Sequence, residues 1–355
     1  MTLDNLGYNN FFEEFRLENN LNPEDIGRVI AEHKDLYIVK TINGEYDAEI
    51  TGHMRFTARS REDFPAVGDW VAIMQYESNF AIIHKIFPRY STIQRKAVAQ
   101  FADTQIIATN IDFAFIIQSV DRDFSINRFE RYLTICNTSN VSPYIILSKT
   151  DLNTDLQLTE ITQSIKNRIN NVPIIAISNE TQKGYEHIQS IITKGKTYCM
   201  LGSSGVGKST LLNNLSGRSI MKTDSISIST NRGRHVTSHR EMIVLENGGL
   251  LIDNPGMREI GITDSSTGLE STFDKISSLS QNCRFKDCKH INEIDCAVIE
   301  AVNGGEIDRN SYENFLKMER EKSHFESSLI ERRKKEKDFG KIMKNYKKDL
   351  KKNKD

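Results

Sequence analysis

The stretch IILSKTDL, residues 145–152, decides how the whole chain is read. Its apolar half extends SPY into a run over residues 142–148, continuous as a strand buried on both faces should be. Its polar half, Ser148-Lys149-Thr150-Asp151, has the form of a loop that reads a guanine base. In such a loop the Asp151 carboxylate accepts from the guanine N1–H and 2-amino groups, while the Lys149 stem lies over the ring. Adenine offers neither donor, so a buried carboxylate left unpaired would reject it. Ser148 stands where these loops usually carry asparagine, and its shorter side chain predicts a weaker guanine affinity or a weaker anchor for the loop. In isolation such a tetrapeptide is as readily a surface turn, so its partners elsewhere must decide.

The main partner is GSSGVGKST, residues 202–210. It satisfies G-x-x-x-x-G-K-[ST], with TYCML reading as the strand that enters and STLLNNLSG as the helix that leaves. Backbone N–H groups from Gly202, Ser203, Ser204, Gly205, Val206 and Gly207 can turn inward on phosphate oxygens, beside a helix whose first turn holds Thr210. Lys208 is suited to the β- and γ-phosphates and the Ser209 hydroxyl to Mg²⁺. Further on, LLIDNPGM (250–257) supplies Asp253 as a magnesium ligand at a strand end and Gly256, in D-x-x-G spacing, as a γ-phosphate sensor. Between them RGRHVTSH (232–239) carries Thr237, a second hydroxyl ligand in a loop of the kind that orders around a triphosphate. AISNE (176–180) places Ser178 where a second base-contacting loop belongs.

The guanine reader lies about fifty residues ahead of the phosphate loop, whereas such readers usually follow it. The order is base loop, second base loop, phosphate loop, then two switch segments, a circular permutation of a Ras-like sheet. That is physically permissible because a sheet depends on which strands adjoin, and domain termini often lie close together. Apolar runs at 112–120, 142–148, 172–178 and 197–202 alternate with helical patterns at 127–139 and 185–193, and 241–253 reads as a hairpin turning at Gly248-Gly249. Strands alternating with helices predict a mainly parallel, doubly wound sheet. After about residue 256 the chain does not return to that sheet but runs into a polar helical region.

Upstream, five short β-like runs fall between Gly27 and Phe87, with Asn43-Gly44 as a two-residue hairpin signal. They fit a small OB-type barrel, a frequent oligonucleotide scaffold, or an SH3-like barrel with a structural role. The reading is multidomain: a helical preamble at 1–22, an OB-fold barrel at 23–98, a circularly permuted α/β P-loop GTPase unit at 99–265, a small α-helical zinc-binding unit at 266–325 and a Lys-rich tail at 326–355.

CRFKDCKHINEIDC holds Cys283, Cys288, His290 and Cys296. Three cysteines and a histidine close a tetrahedral Zn²⁺ site with no open position, which is structural and not catalytic; unligated thiols are the alternative. The chain has 355 residues, 38% of them apolar, and a formal net charge of −1. No apolar stretch nears the ~18 residues that span a bilayer, and the acidic start MTLDNLGYNNFFEEF lacks a secretion pattern, so a cytoplasmic protein is expected. The charge is uneven: residues 331–355 carry twelve Lys/Arg against five Asp/Glu, leaving −8 on the remainder. Such an arm suits a local contact with a polyanion, or is a solvated helical tail; Phe339, Met343, Tyr346 and Leu350 recur in it at helical spacing, a stripe suited to docking on the body or on the partner.

Over roughly residues 23–325, FPAVGDWV, LGSSGVGKST, RGRHVTSHRE, IDNPGMRE and C-x4-C-x-H-x5-C together resemble the ribosome small-subunit-dependent GTPase family, RsgA. Val236 departs from it, standing where the family often has the first of two threonines. The resemblance implies GTP and GDP with Mg²⁺, one structural Zn²⁺, and a monomer that binds the small (30S) ribosomal subunit and its 16S rRNA late in maturation. Met257 follows Gly256 where Ras-like enzymes place a water-orienting glutamine, so the chemistry must run slowly or borrow a group. His235, two residues before Thr237, is the nearest candidate, and the resemblance points to the same histidine; contact with RNA or solvent is its alternative role. Two other readings stay open: an RNA-binding module that holds GTP as a structural ligand, and a permuted GTPase of large-subunit assembly.

Overall fold

A computed structural model describes residues 2–33, 36–77, 79–96, 104–121, 124–217, 240–253 and 266–324. His235, Thr237, Gly256, Met257 and the Lys-rich tail lie outside these residues.

The barrel consists of β1 (Ile26–His33), β2 (Leu36–Lys40), β3 (Glu45–Ile50), β4 (Trp70–Glu77) and β5 (Phe80–Ile86). β3 shows why these segments are strands: Tyr46, Ala48 and Ile50 are buried while Glu45, Asp47 and Glu49 are exposed, a strict period of two. The strands pair in the order β1-β2-β3-β5-β4, β4 closes back on β1, and β3–β5 is parallel. That closed order is an OB barrel, which removes the SH3-like alternative. The turn expected at Asn43-Gly44 closes one residue earlier, where the Thr41 N–H donates to the Gly44 carbonyl at 2.8 Å. The preamble is part of the packing: α1 (Asn10–Glu18), capped by the Asn9 side chain, buries Phe12 against Trp70 and Phe87.

An antiparallel pair of strands, β6 (Thr92–Lys96) and β7 (Thr104–Thr109), follows, which the sequence pattern does not reveal. Then come β8 (Phe113–Ser119), α3 (Ile126–Thr138), β9 (Ser142–Ser148), α4 (Asp155–Lys166), β10 (Ile174–Ala176), α5 (Tyr185–Ile191), β11 (Thr197–Leu201), α6 (Lys208–Ser216), β12 (Arg240–Val244) and β13 (Leu250–Asp253). Their order is β10-β9-β8-β11-β13-β12, parallel except for the terminal β12–β13 hairpin. Both faces are covered, as the continuous apolar runs require. Ala114 and Ile116 of β8 pack toward Phe129, Leu133 and Ile165 of α3 and α4, while Phe115 and Ile117 pack toward Ile188, Leu211 and Leu212 of α5 and α6.

Two features join the bodies. β1 pairs with β12 through Ala31–Glu241 and Glu32–Arg240, so barrel and nucleotide sheet form one sheet of eleven strands. The buried Arg28 guanidinium donates to the carbonyls of Leu6, Gly68 and Asn110 and to Thr197 Oγ1, at 2.6–3.1 Å.

The C-terminal body contains α7 (Ser266–Thr272), α8 (Asp274–Ser280), α9 (Ala297–Asn303) and a helical run over 309–324. Among the described residues it adds no strand, and it packs back on the nucleotide body at α3. Glu130, almost fully buried on α3, accepts from Ser311 Oγ at 2.7 Å, Asn314 Nδ2 at 2.6 Å and Arg168 at 2.7 Å. Arg131 forms a bidentate pair with Glu321, both contacts at 2.7 Å. Gly268 sits so close to α3 that a Cβ would overlap the Thr134 carbonyl and Thr138 hydroxyl.

Candidate nucleotide site and metal cluster

Parallel strands bring their carboxyl ends to one edge, where α/β sheets bind ligands. β9 ends at Ser148, β10 at Ala176, β11 at Leu201 and β13 at Asp253. The loops that follow β9, β10 and β11 are tied directly to one another. Ser148 is fully buried and its hydroxyl donates to the Val206 carbonyl of the phosphate loop at 2.7 Å. One serine thus spans the 58 positions that separate the two motifs in sequence. A side chain as short as serine reaches because the two loops approach closely.

Asp151 accepts from the Ser178 hydroxyl at 2.6 Å, and the Thr150 N–H donates to the Ile177 carbonyl at 3.2 Å, so both base-side loops share one surface. Lys149 takes a left-handed backbone (φ +57°), and its Nζ lies 3.1 Å from Asp121 Oδ2, which steadies the lysine stem. Asn179 reaches the phosphate loop as well, its Nδ2 donating to the Gly207 carbonyl at 3.0 Å, while its Oδ1 accepts from the Tyr185 hydroxyl at 2.8 Å. Asp121 and Asn179 are site residues that motif reading misses. The available signals are an acid just past a buried strand in SVD and a polar residue following Ser178 in AISN.

Within the phosphate loop the glycines serve different needs. Gly202 and Gly207 have positive φ and no room for a Cβ, which would strike the Ile117 carbonyl and the Asn179 amide respectively. Gly205 faces open space, so only its φ of +82° asks for glycine. Lys208 is buried and its ammonium donates to the Gly202 and Ser203 carbonyls at 2.8 and 2.7 Å, which aims it into the loop's concavity. Ser203, Ser204, Ser209 and Thr210 are half-buried at the rim, and Val206 points into the core. Tyr132 of α3 touches the Ser203 side chain; burial pushes its phenol pKa up and that contact opposes the shift. Asp253 is buried at the end of β13, its backbone opposite Glu241. The hydroxyl of Ser209 and the carboxylate of Asp253 are hard oxygen donors of the kind Mg²⁺ takes.

The cysteine cluster lies in the C-terminal body. The ligand atoms of Cys283, Cys288, His290 and Cys296 all fall within 4.8 Å of one another. A tetrahedron with metal–sulfur bonds of ~2.3 Å and a metal–nitrogen bond of ~2.05 Å has edges of about 3.8 Å (S–S) and 3.6 Å (S–N). Cys283 Sγ is 3.8 Å from Cys296 Sγ and 3.6 Å from His290 Nδ1, and His290 Nδ1 is 3.4 Å from Cys296 Sγ. The donor set therefore has the size of a four-coordinate site. Burial holds His290 below its usual pKa, favouring the neutral ring that can donate a lone pair.

Comparison with known proteins agrees with this geometry. A family profile described as RsgA GTPase matches residues 86–263. A second, described as ABC transporter, matches residues 185–353, a range that includes the phosphate loop; among the described residues no helix is long and apolar enough to cross a membrane. The small ribosomal subunit biogenesis GTPase RsgA 1 of Bacteroides thetaiotaomicron is 42% identical over 91% of this chain and 90% of its own length. RsgA 2 of Lactiplantibacillus plantarum is also 42% identical, over 90% of each chain. Among solved structures, YjeQ from Thermotoga maritima superposes with a TM-score of 0.62 at 24% identity, covering 86% of this chain and 98% of that one. YloQ, described as a circularly permuted GTPase, gives 0.57 at 24% identity over 82% and 92%. With this profile match and relatives 42% identical over about nine tenths of the chain, the chain belongs to the RsgA GTPase family.

Proposed function

We propose that this protein binds and hydrolyses GTP on the small ribosomal subunit during its late maturation, docking through 16S rRNA as a monomer in the cytoplasm. The carrying observation is the direct tie between base side and phosphate side, Ser148 to Val206 and Asn179 to Gly207. One nucleotide can then meet Asp151 and Lys149 at one end and Lys208 at the other. The names of these relatives, small ribosomal subunit biogenesis GTPases, support the subunit as partner.

In this reading Asp151 accepts from the guanine N1–H and 2-amino groups, held in place by Ser178, and Lys149 lies over the ring, held by Asp121. The residues from Gly202 to Gly207 present N–H groups to the phosphates, and Lys208 neutralises them. Ser209, Asp253 and Thr237 would hold Mg²⁺, which when bound supplies positive charge to the β- and γ-phosphates. Gly256 contacts the γ-phosphate and His235 orients the attacking water once the partner has docked. Met257 cannot do so, which makes unassisted turnover slow. Cys283, Cys288, His290 and Cys296 hold a structural Zn²⁺. The proposed labour divides among a barrel at 23–98, a nucleotide unit at 99–265 and a zinc unit at 266–325, flanked by the preamble and tail.

Single-turnover hydrolysis with and without purified small subunits tests the reading. Stimulation that is lost in His235→Ala is expected; equal rates with and without subunits would favour a module that holds GTP structurally. ATP bound as tightly as GTP in calorimetry would remove the guanine assignment.

A further inference from the structure

Gly207 supplies the carbonyl that opens α6, accepting from the Leu211 N–H at 2.9 Å. The same carbonyl accepts from Asn179 Nδ2 at 3.0 Å. A trans peptide is planar, with its C=O and N–H pointing in opposite directions, so a carbonyl pinned from behind fixes where the next residue's N–H points. Holding the Gly207 carbonyl therefore aims the Lys208 N–H, just as holding the Val206 carbonyl through Ser148 aims the Gly207 N–H. Both belong to the amides that a phosphate loop and a helix start leave free for an anion.

Asn179 is itself held by two residues outside every motif. Its Oδ1 accepts from the Tyr185 hydroxyl at 2.8 Å, and that hydroxyl oxygen accepts from Asn214 Nδ2 at 2.9 Å. Asn214 Nδ2 also lies 3.4 Å from the Asn179 carbonyl oxygen. The donors run in one sense, from Asn214 to Tyr185 to Asn179 to Gly207. A carbonyl can only accept, so the Gly207 end dictates which way the Asn179 amide faces; reversed, it would set oxygen against oxygen. Burial raises the Tyr185 pKa and the Asn214 contact opposes that shift, as a donor to the phenol oxygen should. Tyr185 is delivered by Gly184, whose φ of +84° lays the turn against the Ala176 carbonyl with no room for a Cβ. Asn214 stands on α6, six residues beyond Lys208, so the network starts on that helix and returns to its first carbonyl.

We propose that Asn179, Tyr185 and Asn214 are positioning residues for the diphosphate of the bound nucleotide, acting through the Gly207–Lys208 peptide and without touching the ligand. Neighbouring residues of one loop then serve opposite ends of the nucleotide: Ser178 steadies the base reader Asp151, and Asn179 steadies the phosphate amides. Ser148 is too short to hold more than one carbonyl of the phosphate loop, and Asn179 holds the next one along. This deepens the proposed function, on which it rests for the identity of the base.

The test uses the full chain and measures GDP and guanosine by competition against a fluorescent GDP analogue. Asn179→Ala is expected to weaken GDP about fivefold, the loss of one hydrogen bond, and guanosine by less than about twofold. Tyr185→Phe keeps the packed ring and removes only the hydroxyl, and it should shift the same ratio in the same direction by about twofold. A structural defect of the loop would instead lower both affinities alike. Equal losses for the two ligands, or a GDP-to-guanosine ratio at the parent's value in both variants, would overturn the proposal. Should Asn179→Ala fail to fold, the ratio in Tyr185→Phe decides. If the parent binds ADP as tightly as GDP, the guanine assignment falls, and the positioning role is then judged in the same way from the ratio of ADP to adenosine.

Discussion

Ser148 shows how one side chain can hold a permuted site together. Its hydroxyl ties the base side to the phosphate loop from within the core. Ser148→Ala leaves the Val206 carbonyl without that donor, at a cost of about 1–2 kcal/mol. We expect a lower denaturation midpoint and guanine nucleotide affinity reduced by about tenfold, measured by denaturant titration and calorimetry; unchanged nucleotide affinity would mean the tie is dispensable. The residues legible in the sequence, Lys149, Asp151, Lys208 and Asp253, are those whose chemistry is tied to a local pattern of strand, turn and helix. Asp121 and Asn179 are not legible because their role comes from proximity across strands: Asp121 meets a lysine 28 positions away, and Asn179 a carbonyl 28 positions away.

Among the elements, strands and helices with a clear period are readable, and those defined by long-range pairing are not. β3 alternates without exception, and the β8 and β9 runs are continuous, so each is identified by its pattern. β6 and β7 escape because they are short and lack a period of two: in β7 Ile106, Ile107, Ala108 and Thr109 are all buried. The run predicted at 172–178 forms only the three-residue β10. The loop from Cys283 to Cys296 is organised by donors: Glu293, with its pKa lowered to about 2, accepts from the N–H groups of Lys289, Ile291 and Asn292. Removing the metal proposed for this cluster with a chelator should melt the loop and loosen the small core of Leu269, Phe273, Val298 and Met318. His290 has its pKa depressed in the fold, so its contribution is fully present above the ordinary imidazole value of 6.5 and is lost as pH falls from there through the depressed value. Metal release, followed with a chromogenic chelator, is therefore expected to rise below about pH 6.5; release independent of pH down to about 5 would contradict the assignment.

At the scale of the whole molecule, α3 is the beam between the nucleotide body and the C-terminal body. Its Tyr132 touches the phosphate loop, and its Glu130 and Arg131 hold the C-terminal helices. Glu130→Ala would leave the Arg168 charge largely buried and without its main partner, a loss of about 3 kcal/mol. We expect the C-terminal body of that variant to become protease-sensitive while GDP binding persists; resistance equal to the parent would show that docking does not depend on the pair. None of this interface is visible in the sequence, because Glu130 and Asn314 lie 184 positions apart.

The chain has a single tryptophan, Trp70, wholly buried between the preamble and the barrel, with Tyr8 packed edge-on at 4.9 Å and the Arg28 guanidinium 5.8 Å from the ring centroid. Its intrinsic emission is consequently a lamp fixed in one room of the house. Fluorescence on heating will report the barrel alone, while ellipticity reports every body. Coincident transitions would mean that the continuous sheet makes the protein melt as one cooperative unit.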